Sequence, residues 1–201
     1  FLLASALAVA LYGRFAKSAR GPVSMSLPIY GEPTALDEKI ELLAQQYEGL
    51  GKKTDALNLL SSNFEAFAAR VLAVKLAGRS VDIMCYLWRH DVTGRLLLHE
   101  VLQAAERGVR VRLLLDDINA QGRDPAHAAL AKHENIEIRL FNPSRARSTG
   151  LRRGLEMVLR AIFVTRRMHN KCFIVDGRIT FIGGRNIGDA YFDAAENSNF
   201  R

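Results

Sequence analysis

The fold of this chain is decided by residues 168–182, which read MHNKCFIVDGRITFI. Apolar and β-branched residues lead up to Asp176-Gly177, a dipeptide preferred in two-residue hairpin turns. Ile179 to Ile182 supply a returning strand of the same character. The stretch therefore predicts a β-hairpin whose two loop residues are Asp176 and Gly177.

The predicted turn decides which residues face each other. Two loop residues pair Lys171 with Ile182 and His169 with Gly184. Because side chains alternate along a strand and paired residues share a face, His169, Lys171 and, if pairing continues, Asn186 point the same way. An imidazole, a fixed cation and an amide donor would then meet beside a residue with no side chain, an arrangement suited to a phosphoryl group.

Strands and helices alternate upstream of the hairpin. Ser61-Ser62-Asn63 predicts a helix N-cap, and Gly108 predicts a helix C-terminus. We expect helices over 37–49, 64–76, 93–107 and 124–133, and strands over 57–60, 81–88, 109–115 and 136–141. This rhythm predicts the α/β class, with a mostly parallel mixed sheet flanked by helices and ending in the hairpin.

Composition narrows the choice of partners. The chain has 201 residues, 49% of them hydrophobic, and a formal net charge of +7. The basic excess favours anionic partners, namely nucleic acid, anionic lipid or a phosphorylated substrate, and does not choose among them. Cys85 and Cys172 each lie in an apolar, strand-like run, which predicts buried thiols rather than a disulfide. No cysteine and histidine spacing is typical of a zinc site, so we predict no structural metal.

The first residues, Phe1 to Tyr12, are almost wholly apolar. Twelve residues are fewer than the roughly 20 needed to cross a bilayer, so the complete segment would be a signal peptide or a membrane anchor. Arg14, Lys17 and Arg20 follow directly, which favours a retained anchor with its C-terminal side cytoplasmic. A cleaved signal and a buried helix remain alternatives. The predicted divisions are an apolar segment with a basic flank, a linker with a short amphipathic helix, and a folded domain: residues 1–20, 21–55 and 56–201.

A second basic segment precedes the hairpin, with apolar residues between its arginines. It suits an anionic membrane surface, but it is equally typical of a solvated helix face. Aromatic residues are not interleaved, which disfavours a stacking platform for single-stranded nucleic acid. The arginines are Arg145, Arg147, Arg152, Arg153, Arg160, Arg166 and Arg167.

The hairpin sequence resembles the catalytic motif of the phospholipase D superfamily, His-x-Lys-x4-Asp-x6-Gly-Ser-x-Asn. Gly184 stands where the general pattern has serine. The flanking Arg-Arg-Met-His-Asn-Lys and Gly-Gly-Arg-Asn-Ile-Gly-Asp are similar to the first motif of bacterial cardiolipin synthases, the C type in particular, and the resemblance runs from about Leu59 to the end. Five motif positions match with all spacings kept: His169, Lys171, Asp176, Gly183 and Asn186.

The resemblance implies roles for these residues. His169, Lys171 and Asp176 would be catalytic, and Lys171, Asn186, Gly183 and Gly184 would bind the substrate phosphate. We expect His169 to be the nucleophile, because Lys171 shares its face, and we expect the glycines to let the substrate approach closely. From its place in the turn, Asp176 is predicted to be architectural.

Other candidate residues lie outside the motif. His90 follows the strand ending at Trp88 and so lies at an edge where such sheets place ligands. Asp116 and Asp117 end the next strand and are candidates for a capping or pocket pair. Glu196 is a candidate for the carboxylate that, in related proteins, orients the nucleophilic histidine.

In the family, two motif copies meet across a pseudo-twofold axis, one histidine is phosphorylated and the other is the general acid and base, with no metal or cofactor. The resemblance therefore implies a partner motif from a missing C-terminal half or from a homodimer. It implies a phosphatidyltransferase that makes cardiolipin from phosphatidylglycerol and a second phospholipid at the bacterial inner membrane, with no nucleic-acid partner. The alternatives are a hydrolase of lipids or nucleic acids that uses water as acceptor, and a non-catalytic binding module.

Overall fold

Five strands form one mixed sheet. The computed structural model describes residues 21–29, 31–46, 56–120, 122–144, 150–159 and 166–195, with four isolated positions among the first ten residues. The strands are β1 (Ser80–Cys85), β2 (Arg110–Asp116), β3 (Ile136–Phe141), β4 (Cys172–Val175) and β5 (Ile179–Ile182). Their order is β3-β2-β1-β4-β5. The first three strands are parallel, and β4 runs antiparallel to both β1 and β5. The predicted fold class is therefore confirmed.

The helices begin where capping residues allow. Ser62 Oγ accepts from the Glu65 amide at 3.3 Å, and Asp91 Oδ1 accepts from the Gly94 amide at 3.1 Å. Gly108, with φ of 91°, follows the end of the second of these helices, as predicted. The helices are α1 (Ala35–Gln46), α2 (Asn63–Leu76), α3 (Val92–Glu106), α4 (Asp117–Ala120), α5 (Asp124–Leu130) and α6 (Leu151–Leu159), with a 3-10 turn at Asp189–Tyr191.

Residue alternation gives the sheet two different faces. One face is apolar and packs against α2 and α3. The other face carries charges that pair across neighbouring strands: Arg112 Nε donates to Asp82 Oδ1 at 2.5 Å, and the Arg112 guanidinium also donates to Asp82 Oδ2 at 2.7 Å. The core is formed by Val74, Val81, Ile83, Leu97, Val101, Val111, Leu113, Phe173 and Val175.

Two predicted strands differ from the structure. Residues 57–60 form no strand, and Leu57 and Leu59 are 99% and 89% exposed. An extended apolar run forms a β-strand only when its backbone hydrogen-bonds to a neighbouring strand, and this run pairs with no described strand. Strand β1 stops at Cys85 rather than Trp88, which instead joins Ile187 through an isolated parallel bridge.

The predicted hairpin register is wrong by one residue. Val175 O accepts from the Arg178 amide at 2.9 Å, so the turn around Asp176 and Gly177 forms as expected. Both loop residues have positive φ, 53° and 67°. The ladder, however, pairs Val175 with Ile179 rather than with Arg178. Arg178 is therefore an extra residue beyond the turn, and it shifts every later pair.

Further expectations concern the two cysteines and the apolar and basic segments. Both cysteines are free thiols, Cys85 buried and Cys172 half-buried. Among the described residues, no helix has the length and apolar character needed to cross a membrane. Most of the apolar start lies outside the residues that the structure describes, as do residues 145–149 and 160–165 of the second basic segment.

Candidate active site

The candidate site lies at the carboxyl edge of the parallel strands. Strand β4 runs against β1, with Met84 opposite Cys172, so the residues before β4 reach the ends of β1 and β2. Asp116, wholly buried at the end of β2, accepts from the Met168 amide at 2.8 Å. Its other oxygen accepts from the Ile118 amide at 3.0 Å. This carboxylate fixes the backbone one residue before His169.

His169 and Lys171 meet at the ring of Tyr86. The His169 side chain is exposed, and its ring lies edge-on to Tyr86 with centroids 5.0 Å apart. Lys171 Nζ lies 5.4 Å from the centre of the same ring. Lys171 Nζ also donates to the His169 carbonyl at 2.8 Å. The imidazole is therefore reachable by a substrate, and an ammonium group lies beside it.

Lys171 is partly buried, and that burial lowers the pKa of its ammonium group from the ordinary lysine value. Within the described residues it forms no ion pair with a carboxylate. Binding of an anion stabilises the charged form of a partly desolvated cation that has no counter-ion. The geometry therefore suits a phosphoryl oxygen at Lys171.

Asp176 holds the hairpin to the rest of the sheet. Its carboxylate is 2% exposed and accepts three backbone hydrogen bonds. The Arg79 and Ser80 amides donate to Oδ1 at 2.7 and 2.9 Å, and the Gly78 amide donates to Oδ2 at 2.9 Å. These amides lie at the start of β1, so Asp176 fixes the turn of the hairpin against that strand.

Gly183 and Gly184, the predicted phosphate-binding glycines, face open space. Gly183 has φ of 151°, which favours glycine. A side-chain carbon at Gly183 or Gly184 would meet open space, so the fold itself packs nothing against them. Close packing instead requires Gly188, where a Cβ would lie 3.0 Å from atoms of Arg89 and Asp91.

Asn186 is buried behind the hairpin. Its Nδ2 donates to Tyr191 Oη at 2.7 Å, and its Oδ1 receives no donor from the described residues. No described hydrogen bond joins it to His169 or Lys171. The structure thus brings His169 and Lys171 together. Asn186 is not part of that contact, and its Oδ1 accepts no hydrogen bond from the described residues.

Two arginines complete a cationic cluster that sequence reasoning missed. Arg70 and Arg185 line a small cavity together with Lys171. Arg70 is 8% exposed, and burial, with a smaller contribution from the nearby charge of Arg185, lowers the pKa of its guanidinium to about 10. Its guanidinium lies 5.0 Å from the centre of the Phe181 ring. An arginine on the apolar stripe of α2, next to Phe67, was the available signal.

Arg185 is held by residues at the start of α2. Its Nε donates to Asn63 Oδ1 at 2.6 Å, and its guanidinium donates to the Ser61 carbonyl at 3.0 Å. Within the described residues, neither Arg70 nor Arg185 forms an ion pair. The three cations together therefore form a place where an anion is electrostatically favoured.

The remaining candidates do not line this small cavity. His90 lines a larger cavity beside Tyr86. Asp117 is buried and accepts from the Ser144 amide at 2.9 Å, so its role includes holding the loop after β3. Glu196 lies outside the described residues.

Similarity to known proteins agrees with this geometry. The family model described as "Cardiolipin synthase, PLD-like domain" matches residues 72–201. Cardiolipin synthase C of Escherichia coli is 49% identical over 141 residues, covering 70% of this chain and 29% of the relative. A cardiolipin synthase of Staphylococcus aureus is 24% identical over 163 residues, covering 81% of this chain and 31% of the relative.

A solved structure shares the fold. Phosphatidylserine synthase of Haemophilus influenzae superposes with a TM-score of 0.52 at 18% identity, covering 79% of this chain and 35% of that one. The chain thus spans about a third of the length of these relatives. The matched residues include the whole hairpin and the strands that support it. The chain therefore belongs to the cardiolipin synthase, PLD-like domain family, within the phospholipase D superfamily of enzymes.

Proposed function

We propose that this chain is the first catalytic half of a phosphatidyltransferase that makes cardiolipin from phosphatidylglycerol and a second phospholipid. The observation that carries the proposal is the exposed imidazole of His169 beside Lys171, with Arg70 and Arg185 behind it. The 49% identity to cardiolipin synthase C supports the choice of reaction.

In the first step, the neutral imidazole of His169 attacks the phosphorus of phosphatidylglycerol. Neutral nitrogen avoids the repulsion that an anionic nucleophile meets at a phosphodiester. A P–N bond forms, and the P–O bond to the head-group glycerol breaks. The leaving glycerol takes a proton from a general acid, which we assign to the histidine of a second motif outside this chain.

In the second step, the head-group hydroxyl of another phospholipid attacks the phospho-histidine. The same general acid, now deprotonated, removes the hydroxyl proton, the P–N bond breaks and His169 returns to its neutral form. Lys171 stabilises the charge on the non-bridging oxygens in both transition states. We assign Asn186 as a further donor to the same group, a role that requires its amide to turn away from Tyr191.

The second motif would come from the remainder of a longer protein or from another copy of this chain. Relatives about three times as long as the matched part support the first arrangement. The net charge of +7 supports association with anionic lipid, and we place the enzyme at the bacterial membrane.

The test supplies the full-length protein with phosphatidylglycerol vesicles and follows lipids by mass spectrometry. Cardiolipin and free glycerol should appear in equal amounts. His169→Ala should abolish both products, whereas His99→Ala, at an exposed position on α3, should change neither. Phosphatidic acid with glycerol, and no cardiolipin, would show a hydrolase instead, and unchanged lipid would overturn the proposal.

A further inference from the structure

A cavity of about 110 Å³ lies beside the candidate site. It is enclosed by the ends of β1 and β2 and by helices α3, α4 and α5. Tyr86 forms part of its wall, and the same ring contacts His169 at 5.0 Å between centroids. Tyr86 is therefore a neighbour of both the cavity and His169.

The lining of this cavity is mostly apolar. Leu98, Leu113, Leu115 and Leu130 line the cavity with hydrocarbon.

Three polar groups of the wall form hydrogen bonds within the protein. Trp88 Nε1 donates to the Gly94 carbonyl at 3.0 Å. Asn119 Nδ2 donates to the Tyr86 carbonyl at 2.9 Å, and the Arg123 guanidinium donates to the Trp88 carbonyl at 2.5 Å. These three groups therefore offer an occupant few further hydrogen bonds, and apolar contact with the leucines favours binding.

We propose that this cavity receives the first part of one acyl chain of the phospholipid whose phosphodiester reaches His169. The inference rests on the proposed function, because it assumes a lipid at that site. Apolar cavities of similar size, about 150 Å³, stay dry and take up small hydrocarbons. A nucleobase fits less well, since its recognition requires hydrogen bonds at the base edge, and Trp88, Asn119 and Arg123 already use theirs within the protein.

Ala126 gives a direct way to fill the cavity. It lines the cavity from α5 and is exposed, so a larger side chain can enter without displacing core residues. Ala129 lies on the same helix, is also exposed and does not line the cavity, which makes it a matched control.

The experiment compares the full-length wild type, Ala126→Phe and Ala129→Phe. Each is given dioleoyl-phosphatidylglycerol in detergent micelles and, separately, glycerophosphoglycerol, the same phosphodiester without acyl chains. Ala126→Phe should lower kcat/KM for the acylated substrate about tenfold, the equivalent of one or two lost methylene contacts. It should leave glycerophosphoglycerol unchanged, and Ala129→Phe should match wild type on both.

Other outcomes would overturn the inference. Equal kcat/KM values for both variants on the acylated lipid would show that no chain enters the cavity while leaving the transferase reaction intact. An equal loss on both substrates in Ala126→Phe would show damage to the site rather than loss of a chain subsite. A wild type that cleaves single-stranded DNA, with only that activity sensitive to Ala126→Phe, would assign the cavity to a nucleobase. A wild type that consumes neither lipid nor glycerophosphoglycerol would reject both the inference and the proposed function.

Discussion

Replacing Asp176 by alanine should destabilise the protein more than any other single change in the motif. The carboxylate is 2% exposed and is the acceptor for the backbone amides of Gly78, Arg79 and Ser80. Each buried donor left without a partner costs about 1–3 kcal/mol. Gly78 is exposed, so water can replace the acceptor there, whereas Ser80 is buried.

The turn adds a second contribution. Asp176 has φ of 53°, a left-handed conformation that aspartate and asparagine tolerate and that costs alanine about 1–2 kcal/mol. With Arg79 and Ser80 as the two donors that lose their acceptor, the two effects together predict a loss of about 3–8 kcal/mol in the free energy of unfolding. That is a large part of the roughly 5–15 kcal/mol that stabilises a typical domain.

Asp176→Asn is the matched comparison. It retains an acceptor oxygen for Arg79 and Ser80 and tolerates the same φ. Its amide nitrogen, however, would face the Gly78 amide, and two donors cannot form a hydrogen bond with each other. Its cost should therefore be smaller, about 1–3 kcal/mol. Urea unfolding of the full-length protein, followed by circular dichroism, should rank wild type above Asp176→Asn and Asp176→Ala last. A loss below about 1 kcal/mol in Asp176→Ala, accompanied by lost activity, would refute an architectural role and indicate a chemical one.

Three further predictions concern the cationic pocket. His169→Ala should lower turnover by several orders of magnitude and leave the melting temperature unchanged, because the side chain is exposed; a large drop in melting temperature would contradict this. The protonated form of Lys171 is the one that binds phosphate, and burial lowers its pKa below 10.5, so kcat/KM should fall as pH rises through that lowered value. In Lys171→Arg this alkaline limb should disappear, since guanidinium stays charged, and an unchanged limb would assign the titration to another group. Arg70→Met should leave the free energy of unfolding equal or higher, because it removes a buried charge that has no ion-pair partner among the described residues. The inhibition constant for inorganic phosphate should rise about tenfold in this variant. Equal inhibition constants in wild type and variant would place the phosphate elsewhere.

Features set by short-range interactions could be predicted from the sequence. The turn at Asp176-Gly177 forms because neighbouring residues adopt positive φ and close one hydrogen bond between Val175 and Arg178. The cap at Ser62 depends on a residue three positions away, and the alternation of strands and helices follows from periodicity. The spaced motif placed His169 and Lys171 two residues apart, so their proximity followed from chain connectivity.

Features that depend on distant partners required the tertiary structure. The hairpin register was misjudged because the extra residue, Arg178, follows a turn whose carboxylate is held by amides nearly a hundred positions earlier. The anchor from Asp116 to the residue before His169 joins positions 52 apart. Arg70 reads in the sequence as one charge on an apolar helix stripe. Only packing α2 against the sheet shows that its guanidinium faces the same small cavity as Lys171, because which side chains share a cavity depends on how the elements pack rather than on their spacing in the chain.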